Sequence, residues 1–275
     1  MSIRPVLFCA CLCLWPAVSQ AQYGGDDPPS DSRYPGAQPD HGPPPRYLIQ
    51  NPTAATLPKG NFDVTTWVGG QGGLLIGTSL GFTNRFLVGV SYGAEGLLGT
   101  SEPIWNERVS FQTKLQLIPE TVRMPAMTVG YDDQGYGPYL GTVDSIEYDR
   151  YTIKSKGIYA VVSKNFYTLS VATGFHGGIN YSFETGDGED GPDAFFGWDL
   201  HYNEEWSALF EYTMALNDNQ AGSPVGQGRG YMNLGLRWEY SRELVLEAIL
   251  SDLLQNRKDA EQIGRHLRIV YLQEF

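Results

Sequence analysis

The residues most able to do chemistry in this chain are its four histidines, and the sequence does not gather them into a site. A catalytic base or a zinc ligand needs a partner side chain at a suitable spacing. His41 lies in a proline-rich stretch, His176 opens a predicted glycine-flanked loop, and His266 opens a predicted strand. His201 stands near Glu205 in the run HYNEE, but the pattern divides the pair between a strand and a turn. The sequence therefore predicts no catalytic residue, no metal site and no cofactor.

A serine nucleophile also lacks a sequence signal. The pattern Gly-x-Ser-x-Gly occurs at 77–81 and 89–93, but both matches lie within predicted strands and not at the turn that presents a nucleophilic serine in many hydrolases. A membrane-embedded hydrolase acting on lipid or peptide would need a serine or aspartate beside a histidine at the rim. This function is kept as a second alternative, with His176 or His201 as the essential residue.

The run ETGDGEDGPD, residues 184–193, holds five carboxylates and no basic residue. A calcium loop needs oxygen ligands at fixed alternate positions and a distal bidentate glutamate, and this spacing does not match. We therefore interpret the run as a solvated loop.

The elements that must position the charged side chains are predicted to be β-strands. From residue 61 onward, apolar and polar residues alternate with a period of two, as in 109–117, 206–214 and 232–240. Such alternation is typical of strands with one apolar and one polar face. Twelve segments follow it, at about 61–69, 73–82, 86–93, 109–118, 126–133, 154–163, 167–175, 194–203, 206–215, 230–240, 243–252 and 265–275.

Prolines and connection lengths support these boundaries. Proline cannot donate to a strand ladder, and six prolines fall between the predicted strands: Pro103, Pro119, Pro125, Pro138, Pro192 and Pro224. Short connections at 83–85, 119–125, 164–166, 203–205 and 241–242 alternate with long ones. This alternation is typical of a transmembrane β-barrel, with short turns in the periplasm and long loops outside. The sequence predicts an all-β fold, a transmembrane antiparallel up-and-down barrel of about 12 strands over 61–275, rather than a soluble sandwich.

The polar strand faces predict which charged groups line the lumen. Two interpretations stay open: the charges pair and fill a plugged core, or they line a narrow polar passage. Glycine- and serine-rich inner faces on the second and third strands leave room for either. The predicted lumen-lining residues are Asp63, Lys114, Lys156, Asp199, His201, Glu211, Arg237, Glu239, Glu247 and Arg268.

The N-terminal region divides into two segments. Residues 1–21 are typical of a secretory signal peptide, with Arg4 before an apolar core and small residues at the cleavage site, and they contain all three cysteines. Residues 22–60 are proline-rich and poor in aliphatic residues, which predicts a disordered periplasmic arm. We interpret the arm as a tether, with a plug or a partner-binding arm as alternatives.

The C-terminal residues and the net charge indicate the partners. Tyr271 and Phe275 end an alternating apolar strand, which predicts an assembly signal read by the outer-membrane assembly machinery. A closing strand of this kind has an apolar face towards lipid. We expect contact with outer-membrane lipids and lipopolysaccharide, and a periplasmic C-terminus. A net charge of −12 argues against nucleic acid as a partner.

Two stretches carry a family resemblance: YTIKSKGIYAVVSKNF (151–166) and FFGWDLHYNEEWSALFEYTMALNDN (195–219). They resemble strands and turns of the YjbH-like outer-membrane β-barrel proteins associated with exopolysaccharide production. The resemblance implies a single barrel, an accessory role in exopolysaccharide export, and polysaccharide or export components as partners. It implies no catalytic residues.

The leading functional hypothesis is a non-enzymatic outer-membrane barrel that acts as a narrow channel or as an accessory of envelope or exopolysaccharide export. The alternative is a plugged structural or adhesive barrel whose acidic loops face outward.

Overall fold

The structure is a computed structural model that describes residues 45–99, 102–143, 146–168, 171–219, 225–258 and 262–274. The predicted signal peptide, residues 22–44 of the predicted arm and Phe275 lie outside these ranges. Among the described residues, no helix is both long enough and apolar enough to cross a membrane.

The described residues form fifteen strands and one short 3-10 helix (Gly70–Gly72). In chain order the strands are β1 (Asn61–Val68), β2 (Leu74–Thr83), β3 (Phe86–Glu95), β4 (Ile104–Trp105), β5 (Ser110–Ile118), β6 (Ala126–Asp132), β7 (Tyr136–Val143), β8 (Ile146–Ile153), β9 (Gly157–Thr168), β10 (Val171–Tyr181), β11 (Asp193–His201), β12 (Trp206–Thr213), β13 (Tyr231–Glu239), β14 (Leu244–Ser251) and β15 (Gly264–Glu274).

All strands except β4, β7 and β8 belong to one antiparallel barrel. The barrel closes because β15 pairs with β1, where Val64 lies opposite Tyr271, while β2 pairs with both β1 and β3. The predicted all-β, 12-stranded antiparallel barrel is confirmed.

The barrel wall is apolar outside and polar inside. On β5 the side chains of Phe111 and Leu117 are 58% and 50% exposed, whereas Lys114 is 0% exposed. A soluble protein buries its apolar face, so this arrangement is that of a barrel surrounded by lipid.

Aromatic side chains cluster towards both ends of the outer wall. Near the short turn between β11 and β12, the Trp206 and Trp238 rings stack with centroids 5.6 Å apart, and Tyr240 packs edge-on against Trp238. Towards the opposite end, Tyr92 stacks on Trp105 at 5.9 Å. Two such belts are the aromatic girdles of a barrel that meets water on both sides of a membrane.

Most predicted boundaries agree with the structure, but one pair does not. The connection predicted at 164–166 lies inside β9, which continues to Thr168, and β10 then runs from Val171 to Tyr181. His176 is therefore a strand residue and does not open a loop. The run GFHGG looks like a loop because glycine is rare in strands, but a barrel wall accepts glycine where inner side chains crowd.

The alternation in the sequence predicts neither β7 nor β8. They form a hairpin, called here the inner hairpin (residues 136–153), within the long connection between β6 and β9. Its register is irregular and Pro138 lies in β7, so the period-two signal is weak. The expectation that Pro138 falls between strands is wrong for this hairpin, although it holds for the barrel strands.

Residues 45–57, called here the plug segment, lie buried inside the barrel. The side chains of Leu48, Ile49, Ala54 and Leu57 are each at most 1% exposed. The disorder predicted for 22–60 is therefore wrong for residues 45–60. Composition indicated too few apolar residues to offset the ordering entropy, but here the barrel wall supplies polar partners for the backbone.

Candidate functional site

The plug segment folds into a tight loop before it reaches the first strand. Tyr47 and Pro52 form an isolated antiparallel bridge, and the N–H of Leu48 donates to the carbonyl oxygen of Asn51 at 3.0 Å. Residues 48–51 form the end of this loop and are called here the plug tip. A backbone folded this way cannot satisfy its own outward-facing groups, so the barrel wall must do so.

Glu211 on β12 binds the N–H groups of the plug tip. Its carboxylate accepts hydrogen bonds from the backbone N–H of Ile49 (3.0 Å), Gln50 (2.9 Å) and Asn51 (2.9 Å). Asn233 on β13 donates its side-chain amide to the same carboxylate at 2.7 Å. Converging N–H groups stabilise an anion as a cation would, which explains how a fully buried glutamate is accommodated.

Two arginines bind the carbonyl groups of the same loop. Arg268 on β15 donates to the carbonyl oxygens of Leu48 and Ile49, at 2.5 Å each. Arg237 on β13 donates to the carbonyl oxygen of the residue before the tip, at 3.2 Å. Glu247 on β14 accepts from the Nε of both arginines, at 2.8 and 2.6 Å. One carboxylate faces two guanidinium groups, and the plug carbonyls serve as further acceptors.

Apolar contacts complete the seat of the plug tip. A Cβ atom added to Gly197 would lie 2.5 Å from a methyl of Leu48, so only glycine leaves the space that this side chain fills. Leu48 and Ile49 complete a buried apolar cluster with Trp67, Leu209 and Ile249.

The residues that flank the plug tip on either side are bound by the opposite side of the lumen. Lys114 on β5 donates to the carbonyl oxygens of Arg46 (2.5 Å) and Thr53 (3.2 Å). Arg46, the only charged side chain of the plug segment, forms an ion pair with Asp63 on β1. Both wall residues are 0% exposed, so Arg46 neutralises Asp63 within the lumen while backbone carbonyl oxygens hold the Lys114 ammonium.

Ala54 is held by three neutral side chains. Its N–H donates to the hydroxyl of Ser163 at 2.8 Å. Its carbonyl oxygen accepts from Gln116 (3.0 Å) and Thr128 (2.7 Å). Both backbone polar groups of this fully buried residue are therefore satisfied by the wall.

Ser163 belongs to a chain of hydrogen bonds that the sequence did not reveal. Its hydroxyl lies 2.8 Å from Nδ1 of His176, whose Nε2 lies 2.7 Å from the Asp199 carboxylate. The other carboxylate oxygen lies 3.0 Å from Nε2 of His201, and Ser207 lies 2.8 Å from Nδ1 of that histidine. Each half has the residue types of a catalytic triad. Ser163 is buried beneath the plug segment and accepts its N–H, so the chain acts here as an anchor of that segment.

The ten predicted lumen-lining residues separate by what they contact. Asp63, Lys114, Glu211, Arg237 and Arg268 bind the plug segment directly, and Glu247 holds the two arginines. Asp199 and His201 belong to the serine–histidine chain. Lys156 donates to the Thr213 hydroxyl at 3.2 Å. Glu239 is half-buried and lines the remaining cavity.

A cavity of about 390 Å³ remains between the plug segment and the wall. It extends from Glu204 and Glu205 in the turn between β11 and β12 towards Trp67. There the Trp67 ring packs against Tyr136 of the inner hairpin with centroids 5.3 Å apart. The small residues Gly77, Ser79 and Ser91 form part of its wall, on the strand faces where the sequence indicated room.

The inner hairpin is fixed by ion pairs to the acidic loops. Arg150 donates to Asp187 (2.5 Å) and Asp218 (2.9 Å), and Lys154 donates to Asp187 at 2.9 Å. Carboxylate oxygens of Asp187, Glu189 and Asp218 lie within 4.8 Å of one another, a spacing that could hold a metal ion. Arg150 and Lys154 already supply two positive charges there. The interpretation of residues 184–193 as merely solvated is wrong for Asp187 and Glu189.

The predicted assembly signal is only partly described. Tyr271 lies on the outer face of β15 and is 42% exposed, and its hydroxyl donates to Gln273 at 2.9 Å. Phe275 lies outside the described residues.

Comparisons with known proteins give only distant structural similarity. No family model and no curated protein matches the chain. Among solved structures, a KdgM porin is 9% identical, with 77% of this chain and 98% of that chain covered and a TM-score of 0.46. A NanC porin is 11% identical (78% and 99% covered, TM-score 0.40), and Omp33, an outer membrane protein of Acinetobacter baumannii, is 10% identical (78% and 98% covered, TM-score 0.42). Similarity at this level carries no argument about function, and the resemblance to YjbH-like proteins is not shown.

Proposed function

We infer that this protein is a channel of the bacterial outer membrane whose lumen is occluded by its own plug segment. The observation that carries the proposal is the binding of the plug backbone by Glu211, Arg237 and Arg268, beside a cavity that the plug leaves unfilled.

The membrane assignment is supported by the outer surface. The apolar outer wall and two aromatic belts suit a barrel in lipid, and closed barrels are the form in which strands span a membrane. Short connections at one end and long ones at the other suit periplasmic turns and external loops. On this assignment, the chain before β1 enters from the periplasm.

The occlusion assignment is supported by the chemistry of the plug. A segment that is a permanent part of the core is normally buried through its own apolar side chains. The plug segment has such contacts at Leu48 and Ile49, but it is also bound through many backbone groups, whose hydrogen bonds water can replace when the segment leaves. A lumen wall with buried charges of both signs then faces water, where such charges are stable.

The remaining cavity suggests which ions pass. Glu204, Glu205 and Glu239 line it at the short-turn end together with Arg242. A mouth with more acids than bases raises the local concentration of cations. We therefore propose a preference for cations in the open state.

Export of exopolysaccharide, adhesion and hydrolysis stay predictions. The Ser163–His176–Asp199 arrangement is the feature on which a hydrolase would depend, and it is covered by the plug segment.

Planar-bilayer recordings of two refolded chains test the proposal. The chain from residue 45 keeps the plug segment, and the chain from residue 58 lacks it. We expect steady openings only from the shorter chain, with folding of both verified by heat-dependent gel mobility. Equal conductance of the two chains, or silence from a folded barrel that begins at residue 58, would contradict the proposed function.

A further inference from the structure

The wall beneath the plug tip has the properties of a peptide-binding site. Glu211 accepts three consecutive backbone N–H groups, and Arg268 donates to two consecutive backbone carbonyls. These contacts do not depend on the side chains of the bound segment. They would be made by any peptide that presents the same backbone loop.

Side-chain pockets add a modest selectivity to this backbone recognition. The cluster around Trp67 accepts two adjacent apolar side chains, those of Leu48 and Ile49. The Thr213 hydroxyl donates to the side-chain oxygen of Asn51 at 3.0 Å. Backbone bonds supply affinity while pockets for individual side chains supply specificity, as in other peptide-recognition sites.

We propose that this wall binds short uncharged peptides and that the plug tip occupies it in cis as a ligand of the same class. The proposal rests on the inferred channel function, since a peptide can reach the wall only when the plug tip has left. It identifies peptides with two adjacent apolar residues as the molecules that compete with the plug.

Occupation in cis sets a condition for detecting this binding. A segment tethered directly before β1 has an effective concentration of roughly millimolar at its own site. An added peptide therefore competes poorly with the native tip. A full-length chain with a displaced tip and an intact wall is needed.

Ile49→Asp in the full chain supplies that state. Ile49 is 0% exposed, and an aspartate there would be an unpaired charge next to Glu211, which expels the tip. A second variant, Leu48→Gly with Ile49→Gly, weakens the apolar seat without adding a charge. It serves where the first variant does not fold.

The probe is acetyl-Tyr-Leu-Ile-Gln-Asn-amide, the sequence of residues 47–51, titrated by calorimetry in detergent. Its control carries N-methyl groups on the Ile, Gln and Asn nitrogens, which removes the three donors to Glu211 and keeps every side chain. We expect the probe to bind the Ile49→Asp chain at least about tenfold more tightly than the control. The native chain and the double variant Ile49→Asp/Glu211→Gln should each bind the probe at least about tenfold more weakly than the Ile49→Asp chain does.

Equal affinity for probe and control, or no binding to either folded variant with a displaced tip, would overturn the peptide site. The outcome is separate from that of the channel proposal. If the chain from residue 58 never conducts while the probe still binds, the channel function fails and the peptide site stands. If that chain conducts but the probe does not bind, the peptide site fails and the channel function stands.

Discussion

Two segments occupy the barrel interior, and they are held in opposite ways. The plug segment carries one charged side chain, and the charges that bind its backbone belong to the wall. The inner hairpin brings its own charge in Arg150, which pairs with Asp187 and Asp218 of the connecting loops. The plug segment and residues 150–153 of the inner hairpin are both buried, yet most of the binding charge lies on the fixed wall in the first case and on the inserted segment in the second.

The difference predicts which segment can leave. If the plug segment leaves, the ion pair between Arg46 and Asp63 must separate, while the segment's neutral backbone enters water and the wall charges become hydrated. If the inner hairpin leaves, Arg150 must separate from both Asp187 and Asp218, and each buried charge left without its partner is costly. We therefore expect the plug segment to be the movable part and the inner hairpin to be a permanent part of the barrel.

The largest expected effect is on the inner hairpin. Arg150→Met leaves Asp187 and Asp218 without their buried guanidinium partner, which should lower the free energy of unfolding by about 3–5 kcal/mol. Arg108→Met is the control, because the Arg108 side chain is exposed and its guanidinium lies as far as 3.9 Å from the Asp133 carboxylate. This change should lower the free energy of unfolding by at most about 1 kcal/mol. Denaturant unfolding in detergent measures both. Similar losses for the two variants would show that the hairpin is not held by Arg150.

The next effect is on the plug segment and leaves the barrel folded. Glu211→Gln removes the charge from the acceptor of three N–H groups, which should weaken plug docking by about 1.5–3 kcal/mol. Hydrogen exchange at Ile49, Gln50 and Asn51 should then accelerate about tenfold to a hundredfold, while strand amides stay protected. Glu205→Gln in an exposed turn is the control, and it should change neither the docking of the plug segment nor the hydrogen exchange of the plug tip. Unchanged exchange at the plug tip would mean that Glu211 does not hold it.

A smaller effect concerns the path that opens when the plug leaves. In the chain from residue 58, Glu204→Gln, Glu205→Gln and Glu239→Gln together should lower the cation-to-anion permeability ratio by roughly twofold. Reversal potentials in a salt gradient measure this ratio. Arg85→Gln, at the exposed turn between β2 and β3, is the control. An unchanged ratio would place the path away from the cavity.

The smallest effect is a pH dependence at the end of the inner hairpin. Burial raises the pKa of Glu184 above its usual value of 4.5, although the N–H groups of Tyr151 and Ser155 lower it in part. The folded state therefore holds the proton more tightly than the unfolded state, so this group's contribution to stability falls as the pH rises from 4.5 through the raised pKa. Melting temperatures of the native chain and Glu184→Gln should diverge across that window. Parallel pH curves would remove Glu184 as the cause.

Much of the wall could be predicted from the sequence, because period-two alternation is a local signal. It identified all twelve barrel strands, and it placed Glu211 and Arg268 on polar faces of their strands. The plug segment could not be predicted in this way. Its burial depends on wall residues more than 150 positions away along the chain, and the proline-rich stretch 22–60 to which it belongs indicates disorder.

Two further features could not be predicted from the sequence, for different reasons. The inner hairpin has an irregular register with one proline, so its alternation is weak. The Ser163–His176–Asp199 chain joins three different strands, and the spacing of its residues carries no signal until the register between β9, β10 and β11 is known.

The most direct test of the account is a cysteine pair between the plug segment and the wall. The chain from residue 22 contains no cysteine, so only the introduced thiols can be oxidised or alkylated. The N–H of Ala54 donates to the hydroxyl of Ser163 at 2.8 Å, so the two residues are in direct contact and a cysteine at each position tests that contact. Ala54→Cys with Ser207→Cys is the control, because Ser207 contacts His201 at the far end of the hydrogen-bond chain.

After mild oxidation of the folded barrel and then unfolding in denaturant, which exposes the buried thiols, the account predicts that the pair Ala54→Cys/Ser163→Cys resists alkylation until it is reduced, whereas both thiols of the control pair are alkylated. Full alkylation of both pairs in the oxidised and then unfolded protein would contradict the central claim that residues 45–57 occupy the lumen.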